Sequence, residues 1–395
     1  VGRIFVTGMG IISSIGDSVG LNRNALKSGK CGISTLGLFP SKYSGELPCG
    51  EIKTSTESLC EKFQENREGI TRTSLLARHA FEEAINDAGW DKSFITSPET
   101  AFVNATTVGG MCLTDELYRD ANAATNGSLY LSSYDCGSVA LYLQKKFRIG
   151  GIINTINTAC SSSANAIMFG ARLIKSGRAK RVIAGGVDSL SKFTLNGFHA
   201  LHILSPEICR PFDLQRKGLN LGEGAAFLLL EKEEDIHDRK VFAEITGYGN
   251  TNDSFHPSSL SAEGNGPYLA MREALNVSQL KPADIDFINA HGTGTENNDA
   301  AESKAMIRLF EKQPAFASTK SNIGHTLGAA GGVEAVYSIL GLLHQEAYAN
   351  LHFENAIEGA GLVPVTQNMP MPINHIMSNS FGFGGNCTSL IFSKA

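Results

Sequence analysis

With 395 residues, 42% of them hydrophobic, and 42 glycines against 12 prolines, the chain has material for a large buried core, as two domains or one duplicated unit. A formal charge of −5 gives no electrostatic case for nucleic acid as a partner. Eight cysteines (Cys31, Cys49, Cys60, Cys112, Cys136, Cys160, Cys209 and Cys387) lack CxxC pairs or zinc spacing, which is the usage of free thiols in a reducing, cytoplasmic compartment.

The chain opens on a strand at residues 3–8, which predicts no signal peptide. No apolar run reaches bilayer length, so no membrane association is expected. A helical run at 74–88 leads to the strand Phe102-Val103-Asn104-Ala105 and the turn Val108-Gly109-Gly110. Residues 113–150 read as an insertion, helical and placed at a subunit contact. A strand, polar turn and small-residue helix then occupy 154–177, followed by a strand at 181–186. The charged stretch 231–240 marks a junction between halves at 1–235 and 241–395.

The second half repeats the first. Ile245-Thr246-Gly247-Tyr248-Gly249 echoes Val6-Thr7-Gly8-Met9-Gly10, and Phe287-Ile288-Asn289-Ala290 echoes Phe102-Val103-Asn104-Ala105. A helical run at 267–276 precedes that later strand, a strand–turn–helix unit follows at 315–344, and one more strand lies at 375–380. Matches in the same order imply a duplication. Strands alternating with helices predict an α/β fold with a mostly parallel sheet. Two stacked copies make five layers, with small-residue helices between the sheets.

Three segments carry chemistry. Cys160 follows an apolar strand and precedes Ser161-Ser162-Ser163, so the thiol is expected near a helix N-terminus, which favours thiolate. His291 ends a strand and opens Gly292-Thr293-Gly294-Thr295. His325 lies in Lys320-Ser321-Asn322-Ile323-Gly324-His325, among residues too small to pack tightly. A thiol with two imidazoles suits acyl transfer in two stages. Lys320 needs a partner if buried, and Glu302 is the candidate. The other eight histidines read as surface or structural. Ser378-Asn379-Ser380-Phe381-Gly382-Phe383-Gly384-Gly385-Asn386 suits a turn whose N–H groups face an oxyanion while a ring gates a pocket. No GKS/GKT or G-x-G-x-x-G opening a βαβ unit supports a phosphate cradle.

Together with Arg210-Pro211-Phe212-Asp213 and Leu221-Gly222-Glu223-Gly224-Ala225, these six ordered motifs resemble the elongating β-ketoacyl-acyl-carrier-protein synthases of the thiolase superfamily, over essentially the whole chain. The resemblance implies a thiolase-like, duplicated αβαβα fold and decarboxylative Claisen condensation of an acyl thioester with malonyl-carrier protein, in fatty-acid, polyketide or polyene elongation. It implies Cys160 as acyl carrier, His291 and His325 at the enolate, Lys320 and Glu302 as organisers, and an oxyanion hole from the N–H groups of Cys160 and Phe383. Thr293 and Thr295 would bind the phosphopantetheine arm that carries the substrates. Val108, Leu219 and Phe381 would be further substrate contacts. No cofactor is required. A structural monovalent cation maps to Asn289, Glu302, Glu334 and Ser378. Carrier protein would dock on Lys62, Arg67, Arg72, Arg210 and Lys217, and the chain would dimerise with itself or with a homologous subunit.

Two other readings compete. A thiolase-type coenzyme A acyltransferase would use a second cysteine, for which Cys387 is placed. A chain-length subunit of a heterodimer would lack the nucleophile, against which Cys160, His291 and His325 argue. The pairs Asn386-Cys387 and Gly218-Leu219 depart from the family pattern near the pocket gate.

Overall fold

The computed structural model describes residues 2–66, 68–123, 128 and 130–395. Its first half supplies β1 (Ile4–Ser13), α1 (Arg72–Ala88), β2 (Thr100–Ala105), α2 (Ser138–Phe147), β3 (Ile153–Ile156), α3 (Ser162–Lys175), β4 (Arg181–Asp188), α4 (Lys192–Ala200) and β5 (Gly224–Lys232). The second supplies β6 (Ala243–Asn252), α5 (Asn265–Ser278), β7 (Phe287–Asn289), α6 (Glu296–Leu309), β8 (Ala315–Ala317), α7 (Ala330–His344), β9 (His375–Phe381) and β10 (Asn386–Ser393).

The main strands run in the order β8-β7-β9-β10-β6-β1-β5-β4-β2-β3. Each half has the same internal order, and only two residue pairs, Phe5 with Glu244 and Val6 with Ala243, join β1 to β6. Within the first half β2 runs parallel to β3 and β4, while β5 runs antiparallel to β4 and β1. The second half repeats this. In each half four of the five strands therefore run the same way, as expected, and the one reversed strand divides the neighbouring pairs of a half equally between parallel and antiparallel. The sequence reading assigned no strand to β5 or β10, the two that reverse direction. The tight turn at Gly382–Gly385 makes β9 and β10 a hairpin, with Gly384 and Gly385 both near φ +80°.

The repeated Thr-Gly-x-Gly has a packing cause. A Cβ on Gly8 would lie 2.6 Å from the carbonyl oxygen of Ala84, and one on Gly10 would lie 2.0 Å from that of Ala80. On Gly247 and Gly249 the distances to Ala274 and Ala270 are 2.3 and 2.2 Å. Side chains there would push α1 and α5 off their strands. Pairing shifts at Thr7 in β1 and at the matching Thr246 in β6, so the bulge is duplicated too.

Helices α3 and α7 touch each other and strands of both halves, while α1 and α5 cover the outer faces. Every residue from Ala330 to Leu342 is buried. The stretch Leu327–His344 is long and apolar enough to cross a bilayer by length and composition, a correction to the sequence expectation, but 89% of it is buried in this core. The insertion is helical at Thr114–Ala123, Leu131–Tyr134 and α2; the first of these buries no residue. Tyr118, Leu131 and Leu141 are exposed there, and β3 is an edge strand paired only with β2.

Candidate functional site

The nucleophile turn links β3 to α3. Ala159 adopts φ +53°, and the Ser162 hydroxyl accepts from the Thr158 N–H (2.9 Å) and donates to the Ala159 carbonyl (2.5 Å). This turn places Cys160 just before the helix. The thiolate-favouring expectation fails on burial: desolvation pushes the thiol up to about 11. The Lys320 charge and the N–H groups of Phe383 and Cys160 itself act in the opposite direction. Those two N–H groups, the expected oxyanion donors, thus both bear on the sulfur.

His291 and His325 are buried, with ring centroids 5.4 Å apart and planes at 87°. The Cys160 Sγ and one nitrogen of each ring all lie within 4.8 Å of one another. His291 Nδ1 faces Lys320 Nζ at 3.2 Å, and His325 Nδ1 accepts from the Leu327 N–H at 3.2 Å. Both contacts are donors to Nδ1, so each neutral ring carries its proton on Nε2. Burial, then the Lys320 charge, holds both imidazoles well below 6.5; His325 adds to the effect on His291. His325 Nε2 is a buried donor without a partner.

The partner of buried Lys320 is Glu334, not Glu302. Helix α7 carries Glu334 beneath the site, whereas α6 turns Glu302 to the backbone. Glu302 accepts from the N–H groups of His291 and Gly292, both at 2.9 Å, and from Asn379 Nδ2 at 3.2 Å. Burial raises both carboxyls to about 7. Of the residues mapped to a cation, Asn289 Oδ1 and Glu334 Oε2 are buried acceptors without partners, which is the character such an ion needs. Ser378 is buried, and Glu302 already accepts on both oxygens.

Two cavities meet at Cys160. The front one, about 470 Å³, is lined by His291, His325, Thr293, Thr295, Leu219, Phe381 and Lys217. The Thr293 and Thr295 hydroxyls lie 2.8 Å apart. The rear one, about 370 Å³ and mostly apolar, is lined by Thr107, Val108, Phe193, Gly197 and Leu327. Phe198, Leu201 and Phe383 line both, and the Phe198 and Phe383 rings stack at 6.0 Å. Sequence reasoning missed Phe198 and Leu201, which carry no motif. It also set aside His202, which lines the front cavity.

Cys387 lines neither cavity. It is fully buried beside Leu260, Ala270, Ala301 and Phe381, with its thiol on the Gly385 carbonyl. Asn386 bridges the two oxyanion segments: its Oδ1 accepts from Ser161 Oγ, Asn165 Nδ2 and Asn250 Nδ2, each at 2.8 Å. No sequence signal pointed to that clamp beyond the departure from pattern.

The docking cations separate. Arg72 is a correction: it is buried and bidentate with Glu223 at 2.9 and 2.7 Å. Arg210 pairs with Glu354 and Lys217 with Glu207. Lys62 is exposed with its Nζ 3.2 Å from His79 Nδ1. Arg67 lies outside the described residues.

Comparison with known proteins agrees with this geometry. Residues 2–236 match the family "Beta-ketoacyl synthase, N-terminal domain" and residues 242–354 match "Beta-ketoacyl synthase, C-terminal domain". A putative mitochondrial 3-oxoacyl-[acyl-carrier-protein] synthase of Schizosaccharomyces pombe is 33% identical, over 99% of each chain. The 3-oxoacyl-[acyl-carrier-protein] synthase 2 of Vibrio cholerae is 30% identical, also over 99% of each. The solved ishigamide ketosynthase/chain length factor superposes with a TM-score of 0.92 at 26% identity, over 100% of this chain and 99% of that one.

Proposed function

Because this chain belongs to the β-ketoacyl synthase family, we propose that it condenses an acyl thioester with malonyl-carrier protein through an acyl group held on Cys160. It is a 3-oxoacyl-acyl-carrier-protein synthase, an acyltransferase. The observation that carries the mechanism is the convergence of one thiol, two Nε2–H imidazoles and two backbone N–H groups at the meeting of two cavities.

The steps follow from these positions. The Cys160 thiol gives up its proton and the sulfur attacks the acyl carbonyl; the C–S bond to the carrier arm breaks and that arm leaves as a thiol. The carbonyl oxygen's developing charge sits on the N–H groups of Cys160 and Phe383. The acyl chain lies in the rear cavity. Malonyl thioester then enters from the front, its arm along Thr293 and Thr295. Its C–C bond breaks to release CO₂, and the enolate oxygen is met by the Nε2–H groups of His291 and His325. The carbanion attacks the acyl carbonyl, and Cys160 leaves as the thiolate. Lys320 acts by fixing the His291 tautomer, and Glu302 by holding the His291 backbone. A monovalent cation at Asn289 and Glu334 would supply charge balance beneath the histidines.

Arg210, Lys217 and Lys62 are the docking cations for an acidic carrier protein. Exposed pairs such as Lys217 with Glu207 contribute little and exchange readily for a partner's carboxylates. The exposed edge of β3 and the apolar side chains of the insertion support a dimer, of two copies or with a homologous subunit. Eight cysteines, none of them in a disulfide, support a reducing, cytoplasmic setting.

The test is intact-mass analysis after offering acyl-carrier proteins of several kinds. The acyl mass is expected on Cys160 and absent in Cys160→Ala. Cys160→Gln, whose amide imitates the acylated site, is expected to decarboxylate malonyl-carrier protein. Acyl mass on Cys387 instead would return the thiolase reading.

A further inference from the structure

Asp188, at the end of β4, lines neither cavity, yet it is fully buried and surrounded by donors. Its Oδ1 accepts from the Thr106 hydroxyl at 2.6 Å and from the Val108 N–H at 3.1 Å. Its Oδ2 accepts from the Thr107 hydroxyl at 2.6 Å, the Thr107 N–H at 3.0 Å and the Gly328 N–H at 2.7 Å. These donors belong to two functional segments. Thr107 and Val108 form a wall of the rear cavity. Gly328 follows Leu327, whose N–H fixes His325 Nδ1. The fit is close: a Cβ on Gly328 would lie 2.8 Å from Asp188 Oδ2.

We propose that Asp188 is a positioning residue that ties the rear-cavity wall to the His325 turn, so that the acyl and malonyl sides of the site share one frame. A carboxylate suits this task because it accepts on both oxygens at once, and no neutral side chain of its size takes all five donors. Moving Thr107 or Val108 drags Oδ1 and Oδ2 together, and through Gly328 and Leu327 the His325 ring follows. The inference rests on the proposed condensation mechanism, in which His325 serves the malonyl half-reaction and the rear cavity holds the acyl chain.

The test uses Thr107→Val, which keeps the side chain's shape and removes one hydroxyl donor to Asp188. Thr107 lines the rear cavity and not the front one. Its Cγ2 also packs towards Gly328, a contact valine keeps, so the variant changes only the hydroxyl bond to Asp188 and without coupling has no reason to alter decarboxylation. The variant is made in the Cys160→Gln background, where malonyl-carrier protein is decarboxylated with no acyl chain present. The expected result is a fall in decarboxylation kcat of roughly 2- to 30-fold, with KM for malonyl-carrier protein unchanged. Asp188→Asn, which keeps only one acceptor oxygen, is expected to lower that kcat further and, with Cys160 intact, to shift the profile of acyl lengths loaded.

Unchanged decarboxylation in the Thr107→Val variant overturns the coupling. So does an Asp188→Asn protein that is less heat-stable but has both the wild-type kcat and the wild-type length profile. If Cys160→Gln alone fails to decarboxylate, the condensation mechanism fails first, and the two failures are told apart.

Discussion

Replacing Lys320 by Met separates the two half-reactions. Lys320 is 2% exposed, ion-paired to Glu334 and 3.2 Å from His291 Nδ1. Without the ammonium nothing donates to Nδ1, so the tautomer with its proton there and Nε2 as an acceptor becomes populated. In that form His291 meets the enolate oxygen with a lone pair instead of an N–H. Loss of one such donor costs on the order of 10²–10³ in rate. The effect on acyl loading is smaller. Lys320 is the largest influence lowering the Cys160 thiol, and each unit of further rise removes about tenfold of thiolate. Stability changes too. Removing one partner of a buried pair costs about 3–5 kcal/mol. Here the loss sits at the low end, because Glu334, already raised to about 7, takes up a proton once the charge is gone. With a urea slope of roughly 3 kcal/mol per M, the midpoint falls by about 1 M. Single-turnover acyl loading and malonyl decarboxylation, measured on the same folded preparation, check this. Equal losses in both half-reactions, or unimpaired decarboxylation, would refute the tautomer argument.

His291 and His325, depressed in the fold, contribute stability that is lost as pH falls below about 6.5, where the unfolded chain protonates first, while Glu302 and Glu334, raised to about 7, oppose that loss by holding protons the unfolded chain releases. Each histidine contributes up to about 1.4 kcal/mol per pH unit, so urea midpoints of His325→Asn should fall less steeply with acid than those of the wild type. Asn386→Leu removes three hydrogen bonds, though each donor keeps another partner, and should cost about 3 kcal/mol together with acyl loading, while Asn386→Asp, which keeps the acceptor, should restore both; thermal melts and mass analysis decide. Gly197 lines the rear cavity with open space where a Cβ would stand, so Gly197→Leu should fold normally and cut loading of long acyl chains at least about tenfold relative to short ones. Gly10→Ala, whose Cβ would meet the Ala80 carbonyl at 2.0 Å, should lose about 3 kcal/mol, whereas Gly20→Ala, with nothing within 4 Å, should not be destabilised in the same melt.

Much of this protein was legible in the sequence because its constraints are local. The Thr-Gly-x-Gly repeats register a helix lying directly on a strand, a requirement that only missing side chains meet. Cys160, His291 and His325 sit at strand ends or helix starts within short motifs, so their convergence could be anticipated from type and setting. What only the tertiary structure decided are contacts between distant segments, for which no spacing rule exists. Lys320 chose Glu334 over Glu302 because α7 runs beneath the site while α6 faces the backbone of His291. Arg72 reads as a surface cation but is drawn inside by the Glu223 carboxylate, a partner 151 residues away. The antiparallel places of β5 and β10 follow from which strand each meets in space. Burial set the ionisation of Cys160, since a helix start favours thiolate only while solvent or charge offsets desolvation, and the depth of the sulfur between two half-sheets cannot be read from its neighbours in the chain.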